Sequence, residues 1–229
     1  MRQFLLASSA VLLMAAALPQ VGDGGSDPLR AQIIASAKAV SPAKLSFERT
    51  TRLERKGGGS LTRQTRTERW DGERWTLVSV DGVTPTERER REMQRRAAAE
   101  NVPGYHELAR IVAAATERRI DANGQTVLLI PRLPDGTVMA DGKDISSHLR
   151  AEAVLAKRGN EAWVERLTMR EREPFKLNFL IKVTNFEQVS NYRISADGEP
   201  RLIAQQNDSV GSMFGYTGGE KSEILYAYR

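Results

Sequence analysis

LRAEAVLAKRGNEAWVERLTMREREPFKLNFLIKVTNFEQVSNYRIS, residues 149–195, is the stretch that decides the fold. Apolar and polar side chains alternate through it in short runs, 149–157, 161–171, 174–184 and 186–195, and the pattern resumes at 200–209 and 222–229. Period-two alternation belongs to strands with one buried face. Gly159-Asn160, Pro174 and Ala196-Asp197-Gly198 supply turn residues between the runs. Runs this short, with no helical stretch between them, predict an antiparallel meander rather than βαβ units. The clearest alternation puts Phe175, Leu177, Phe179, Ile181 and Val183 on one face of a single strand, with Lys176, Asn178 and Lys182 on the other.

Working back toward the N-terminus, Thr126–Ile130 is apolar on both faces and reads as a central strand, and Pro131–Asp144 as a loop. Residues 84–116 read as a helical insertion. Thr84-Pro85-Thr86-Glu87 has the form of a capping box, and the helix it starts, to about Ala99, is charged nearly all round. A second helix carries Tyr105, Leu108, Ile111, Val112 and Ala115 on one face. Residues 44–55 alternate as a half-buried strand, Gly57-Gly58-Gly59 makes a hairpin, and 61–70 is polar on both faces, as in an edge strand or a strongly solvated one. A helix opens the mature chain. Ser26 and Asp27 cap it, Pro28 fits its first turn, Leu29, Ile33 and Ala37 form its stripe, and Ser41-Pro42 ends it. The fold class expected is therefore α+β: a single curved antiparallel β-sheet, a half-barrel, with the N-terminal helix and the inserted helices packed on one face. Residues 21–229 form one domain in this reading.

Residues 1–20 read as a cleaved signal peptide. Arg2 precedes an apolar run, Phe4–Leu18, and Ala15 and Ala17 are spaced as in an A-x-A cleavage site. The run is short for a bilayer span, which takes roughly 20 residues, and no later stretch is long and apolar enough to make one. The chain has no Cys, hence no disulfide framework and no lipid-anchoring thiol. A soluble, exported, unlipidated protein follows, placed most simply in the periplasm of a Gram-negative bacterium.

The formal charge is +5 and the sequence pI about 9.6, with both signs interleaved along the chain. That balance suits anionic headgroups as partners and, without a concentrated basic stripe, argues against nucleic acid. Chemistry is hard to find. The only histidines are His106 and His148, and there is no nucleophile elbow and no H-E-x-x-H. Asp141-Gly142-Lys143-Asp144 lacks the spacing of a calcium loop, and Glu165, Glu171 and Glu173 sit among Arg166, Arg170 and Arg172 as paired surface. No catalytic residue, metal or cofactor is expected.

The remaining candidates are apolar. Trp163, Phe175, Leu177, Phe179, Ile181, Tyr192 and Tyr226 would line the hollow of the curved sheet, either as packed core or as a ligand cavity. Leu108, Ile111 and Val112 would close it as a lid. Met213, Phe214 and Tyr216 lie in the glycine-rich run 211–219, read as a flexible loop that covers a ligand or contacts a partner.

The layout resembles the periplasmic lipoprotein-carrier fold. The shared order is a leader, a helix (Asp27–Val40) feeding an alternating strand (Lys44–Arg55), a meander, helices inserted midway and a final antiparallel run. That group includes the lipoprotein-sorting carrier, its outer-membrane receptor and related sensor domains. Trp75–Gly82 followed by Thr84-Pro85-Thr86 also looks like a pattern of uncharacterised proteobacterial envelope proteins. The resemblance implies a half-barrel whose helices roof an apolar cavity for lipid or lipoprotein acyl chains. No family motif maps residue by residue, so it assigns no functional residue. Two functions stand as expectations. One is a binding or carrier protein for an apolar or amphiphilic ligand; the other is an envelope sensor or protein-interaction module with a fully packed core.

Overall fold

The computed structural model describes residues 27–97, 101–140, 142–214 and 216–229. The signal peptide expected at 1–20 lies outside them. Helix α1, Pro28–Ala39, is capped by Asp27, whose carboxylate accepts from Leu29 N–H at 3.0 Å, and it stops before Pro42. Helix α2, Glu87–Ala97, has its capping box two residues beyond the one read in the sequence: Thr86 and Glu89 exchange the capping bonds, Thr86 N–H to the Glu89 carboxylate at 2.7 Å and Glu89 N–H to the Thr86 hydroxyl at 3.3 Å. A 3₁₀ turn, Tyr105–Glu107, leads into α3, Leu108–Ala113.

Strands β1 (Phe47–Gly57), β2 (Ser60–Trp70) and β3 (Trp75–Val80) precede the helical insertion. After it come β4 (Glu117–Ile120), β5 (Thr126–Ile130), a small hairpin of β6 (Met139–Ala140) and β7 (Lys143–Asp144), then β8 (Leu149–Arg158) and β9 (Glu161–Glu171). The chain ends with β10 (Phe175–Lys176), β11 (Ile181–Ile194), β12 (Pro200–Met213) and β13 (Tyr216–Tyr228). All but the small hairpin join one antiparallel sheet, in the order β3-β2-β1-β13-β12-β11-β9-β8-β5-β4, with β10 pairing β11. The fold is α+β with a large open sheet. Its last strand returns to the first, with Phe47 opposite Tyr228.

The long strands pass through two environments. Near the helices, one face presents Phe47, Trp70, Leu128, Ile130, Ala153, Leu155, Val164, Leu167, Tyr192, Leu202 and Tyr226, all buried in one cluster with Ile33 and Ala37 of α1 and Leu108, Ile111 and Val112 of α3. Beyond that cluster the same strands run on without helices above them. There β1, β2, β11, β12 and β13 carry polar and half-exposed side chains on both faces; β3 pairs only with Arg66–Trp70 of β2, so residues 60–64 have β1 alone beside them and form an edge.

Two stretches depart from the sequence reading. The expected strand 174–184 is a two-residue strand, a turn and the start of β11. Asn178 causes the break: its side-chain oxygen accepts from Leu180 and Ile181 N–H, each at 2.8 Å, and Leu177 N–H bonds Ile181 C=O at 3.0 Å. The glycine-rich run 211–219 is mostly strand, because β12 continues to Met213 and β13 begins at Tyr216. Its glycines serve close backbone approach: a Cβ at Gly211 would lie 2.5 Å from Lys182 O, and one at Gly218 2.9 Å from Lys56 O.

Candidate functional site

The residues singled out in the sequence fall into three places. Tyr192, Tyr226 and Phe175 are buried. Tyr192 meets Tyr105 edge-on at 5.5 Å, Tyr226 meets Phe47 the same way at 5.5 Å, and Phe175 stacks on the His148 ring at 4.6 Å. Leu108, Ile111 and Val112 are packed between α1 and the sheet, since an apolar stripe on a helix must find cover. Trp163 alternates with buried Ala162 and Val164 in β9 and is half-buried. Tyr105 occupies the middle of this packing. Its hydroxyl accepts from Val164 N–H at 3.0 Å, and burial pushes its phenol up to about 12.

The second place is the far end of the projecting strands. Phe179 is 90% exposed, Phe214 68% and Tyr216 75%. Leu177 and Ile181 beside them are half-buried. Pairing brings these segments together: Ile181 lies opposite Met213, and Met213 opposite Tyr216. Phe214 has φ +52°, a left-handed conformation that is rare for a bulky side chain. The sequence pattern places Lys176 and Lys182 on the polar face of a single strand, and their pairing with each other is not visible there. Lys176 and Lys182 are direct cross-strand neighbours, and Lys143 Nζ donates to Leu177 C=O at 3.1 Å.

The third place lies on the sheet face away from the helices, where a groove of about 610 Å³ crosses β1, β2, β11, β12 and β13. Its floor is a ladder of charges in register, Arg63, Glu54, Lys221, Asp208 and Glu187. Arg63 bonds Glu54 at 2.9 Å, and Lys221 bonds Asp208 at 2.9 Å, which raises the lysine above its ordinary range. The interleaving of both signs along the chain was visible in the sequence; that these five charges stand side by side was not, because register is a tertiary property. A smaller cavity of about 100 Å³ lies under α2, bordered by Glu68, Leu77, Val80 and Met93.

The polar candidates have structural duties. Burial pushes the His106 imidazole down, partly offset by its bond with the Val102 backbone. Bonds from the Ser146 hydroxyl, Ser146 N–H and Gly136 N–H hold the Asp144 carboxyl below the usual range. Glu171 accepts from Phe186 N–H, and Arg170 bonds Glu187. Among the described residues no group of three His, Asp or Glu is placed to hold a metal ion, and no helix is long and apolar enough to cross a membrane. No protein-family model matches the chain, and no curated protein or solved structure is significantly similar to it.

Proposed function

We propose that the chain is a non-catalytic binding module of the cell envelope that works through the projecting half of its sheet. The observation that carries this reading is the gathering of Phe179, Phe214 and Tyr216, three aromatic side chains left in solvent at one end of the sheet. Exposed apolar clusters of this kind mark contact surfaces. Export, expected from the leader at 1–20, sets the compartment.

Of the two functions drawn from the sequence, this is the interaction module. An acyl-chain carrier would need its greasy lining to face a hollow between sheet and helices. Of the five aromatic residues of that lining, Phe175, Tyr192 and Tyr226 are buried and pack against other rings, Trp163 is half-buried and Phe179 stands in solvent. The roof residues Leu108 and Val112 are wholly buried as well.

Photo-crosslinkable side chains at positions 179 and 214, with Ile120 as an exposed control on β4, test the reading in cells. Adducts to an envelope component, protein or lipid, are expected from the first two and not from the third. Equal labelling at all three positions, or none, removes the projecting end as the working surface. Stoichiometric lipid extracted from the purified protein would restore the carrier.

A further inference from the structure

We propose that the projecting end docks on an anionic lipid surface. Phe179, Phe214 and Tyr216 enter the boundary between headgroups and acyl chains, and Lys56, Lys176 and Lys182 meet lipid phosphates. This rests on the reading above and names the partner of that end.

The geometry comes first. The turn at 177–181, the β12–β13 connection and the β1–β2 hairpin all finish at one end of the sheet, because Ile181 pairs with Met213, Met213 with Tyr216, and Gly57 with both Gly218 and Ser60. Phe179 therefore comes from one chain reversal and Phe214 and Tyr216 from another, two reversals that share one end rather than a flat face. A rigid protein partner would have to match each reversal in shape. A bilayer interface yields to them, and aromatic rings have a preference for that depth.

Composition and charge choose the kind of surface. None of residues 56–62, 174–186 or 209–219 is acidic, in a chain with 29 Asp and Glu. The charges these segments do carry are Lys56, Lys176 and Lys182, all exposed. Strand alternation and pairing place the three on the face away from the helices. Lys176 stands directly across from Lys182. Like charges in that position repel, whereas further along the same face Arg63 meets Glu54 and Lys221 meets Asp208. A phosphate placed between the two ammonium groups removes the repulsion. Phe214 adds a further sign, since its left-handed backbone, at φ +52°, holds a large apolar ring out in solvent. Strain of this sort gathers at contact sites. Exposed aromatics with a basic flank and no acid match the two signals, apolar insertion and electrostatic attraction, that hold peripheral proteins on anionic membranes.

The test is co-sedimentation of the full mature chain with vesicles of phosphatidylcholine alone or phosphatidylcholine mixed with phosphatidylglycerol. Binding to the mixed vesicles only is expected, weakening as salt is added. The double variant Lys176→Glu/Lys182→Glu should weaken it by at least about tenfold, since each lysine near an anionic surface contributes roughly fivefold. The triple variant Phe179→Ser/Phe214→Ser/Tyr216→Ser should weaken it comparably. The substituted side chains are exposed, so circular dichroism should be unchanged; Phe214→Trp gives a second readout that needs no destabilised variant. Its fluorescence should shift to the blue on the mixed vesicles and be quenched by brominated acyl chains. Equal binding to both vesicles, no binding, or variants that bind like the parent overturn the proposal. Cross-links from positions 179 and 214 to a protein, with vesicles left unbound, overturn it while leaving the projecting end as the working surface.

Discussion

Strand β1 runs through both halves of this molecule, and its two ends obey different rules. At one end Phe47 is fully buried, with Trp75, Tyr226 and Tyr228 around its ring at 5.4 to 5.5 Å. At the other, Arg52 bonds Glu223 at 2.9 Å and Arg55 bonds Glu220 at 2.5 Å, all four side chains largely in water. The backbone ladder is unbroken from Phe47 to Gly57 on both sides of the strand. What changes is the stabilisation per residue. A fully buried large apolar side chain contributes about 1.5–3 kcal/mol, an exposed ion pair about 0.2–1 kcal/mol. The helix-covered half holds the fold, and the projecting half rides on it, so its surface can serve contact without endangering the core.

The sharpest way to break this contrast is a pair of substitutions in one strand. Phe47→Ala should lower the unfolding free energy by about 3–5 kcal/mol. Leu53→Ala, on the same face six residues along and only half-buried, should cost about 1 kcal/mol or less. Urea unfolding midpoints measure both. Similar losses would mean that the projecting half has a core of its own.

The contrast sharpens at Glu68, the one carboxylate in the buried set, 2% exposed on β2. It accepts from Arg49 at 2.7 Å and from Arg96 of α2, and the Arg49 guanidinium also lies 4.0 Å over the Trp75 ring. Charge buried this deeply holds only while its partners stay in place. Glu68→Gln takes the negative charge from both guanidiniums and should cost about 3 kcal/mol. Amide hydrogen exchange should rise first in α2, which Arg96 ties to the sheet. A variant as stable as the parent, with α2 equally protected, would show that α2 is held by Met93 and its apolar neighbours alone.

How much of this the sequence discloses follows the same division. Where a core face exists, alternation reports it: Leu149, Ala151 and Ala153 of β8 and Leu167 and Met169 of β9 are buried as their spacing predicts. Periodicity also marked Ile33, Ala37, Leu108 and Val112. Alternation misleads at 174–184, where a single side-chain oxygen on Asn178 outweighs it. Glycines at 211–219 looked like mobility, when two of them allow neighbouring backbones to approach. The charge ladder and the Lys176–Lys182 pair were illegible because each requires knowing which strands are neighbours. Of the site, the aromatic residues were nameable in advance; their meeting at one end was not.

The buried tyrosines give the helix-covered half a pH dependence. Burial lifts Tyr105 and Tyr228 from 10 to about 12, and Tyr192 well above 10. A raised phenol keeps its proton in the folded state after the unfolded chain has lost it. The stabilisation is complete below pH 10 and is lost as pH rises from 10 through 12. Tyr105→Phe should make that alkaline decline shallower. At neutral pH it should cost about 1–3 kcal/mol, because Val164 N–H loses its buried acceptor. Unfolding midpoints at pH 8 and pH 11 measure both effects. An unchanged alkaline slope would show that Tyr105 does not contribute to it.

The smallest effect belongs to the groove. Arg52 and Glu223 form a pair at 2.9 Å with 64% and 41% of their side chains in solvent. Two long side chains lose rotamer freedom to hold that geometry, and water screens the attraction they gain. Arg52→Ala should therefore shift stability by no more than about 0.5 kcal/mol, and added salt should abolish even that. Between Arg52 and Phe47 lie four residues of one unbroken strand, so backbone hydrogen bonding cannot explain the roughly sixfold or greater difference expected between their substitutions. What differs is what each side chain meets: Phe47 points into the cluster under the helices, and Arg52 points to solvent on the groove face. If Arg52→Ala were to unfold the protein as Phe47→Ala should, the ladder itself would be setting stability, and the projecting half would have no freedom to carry a contact surface.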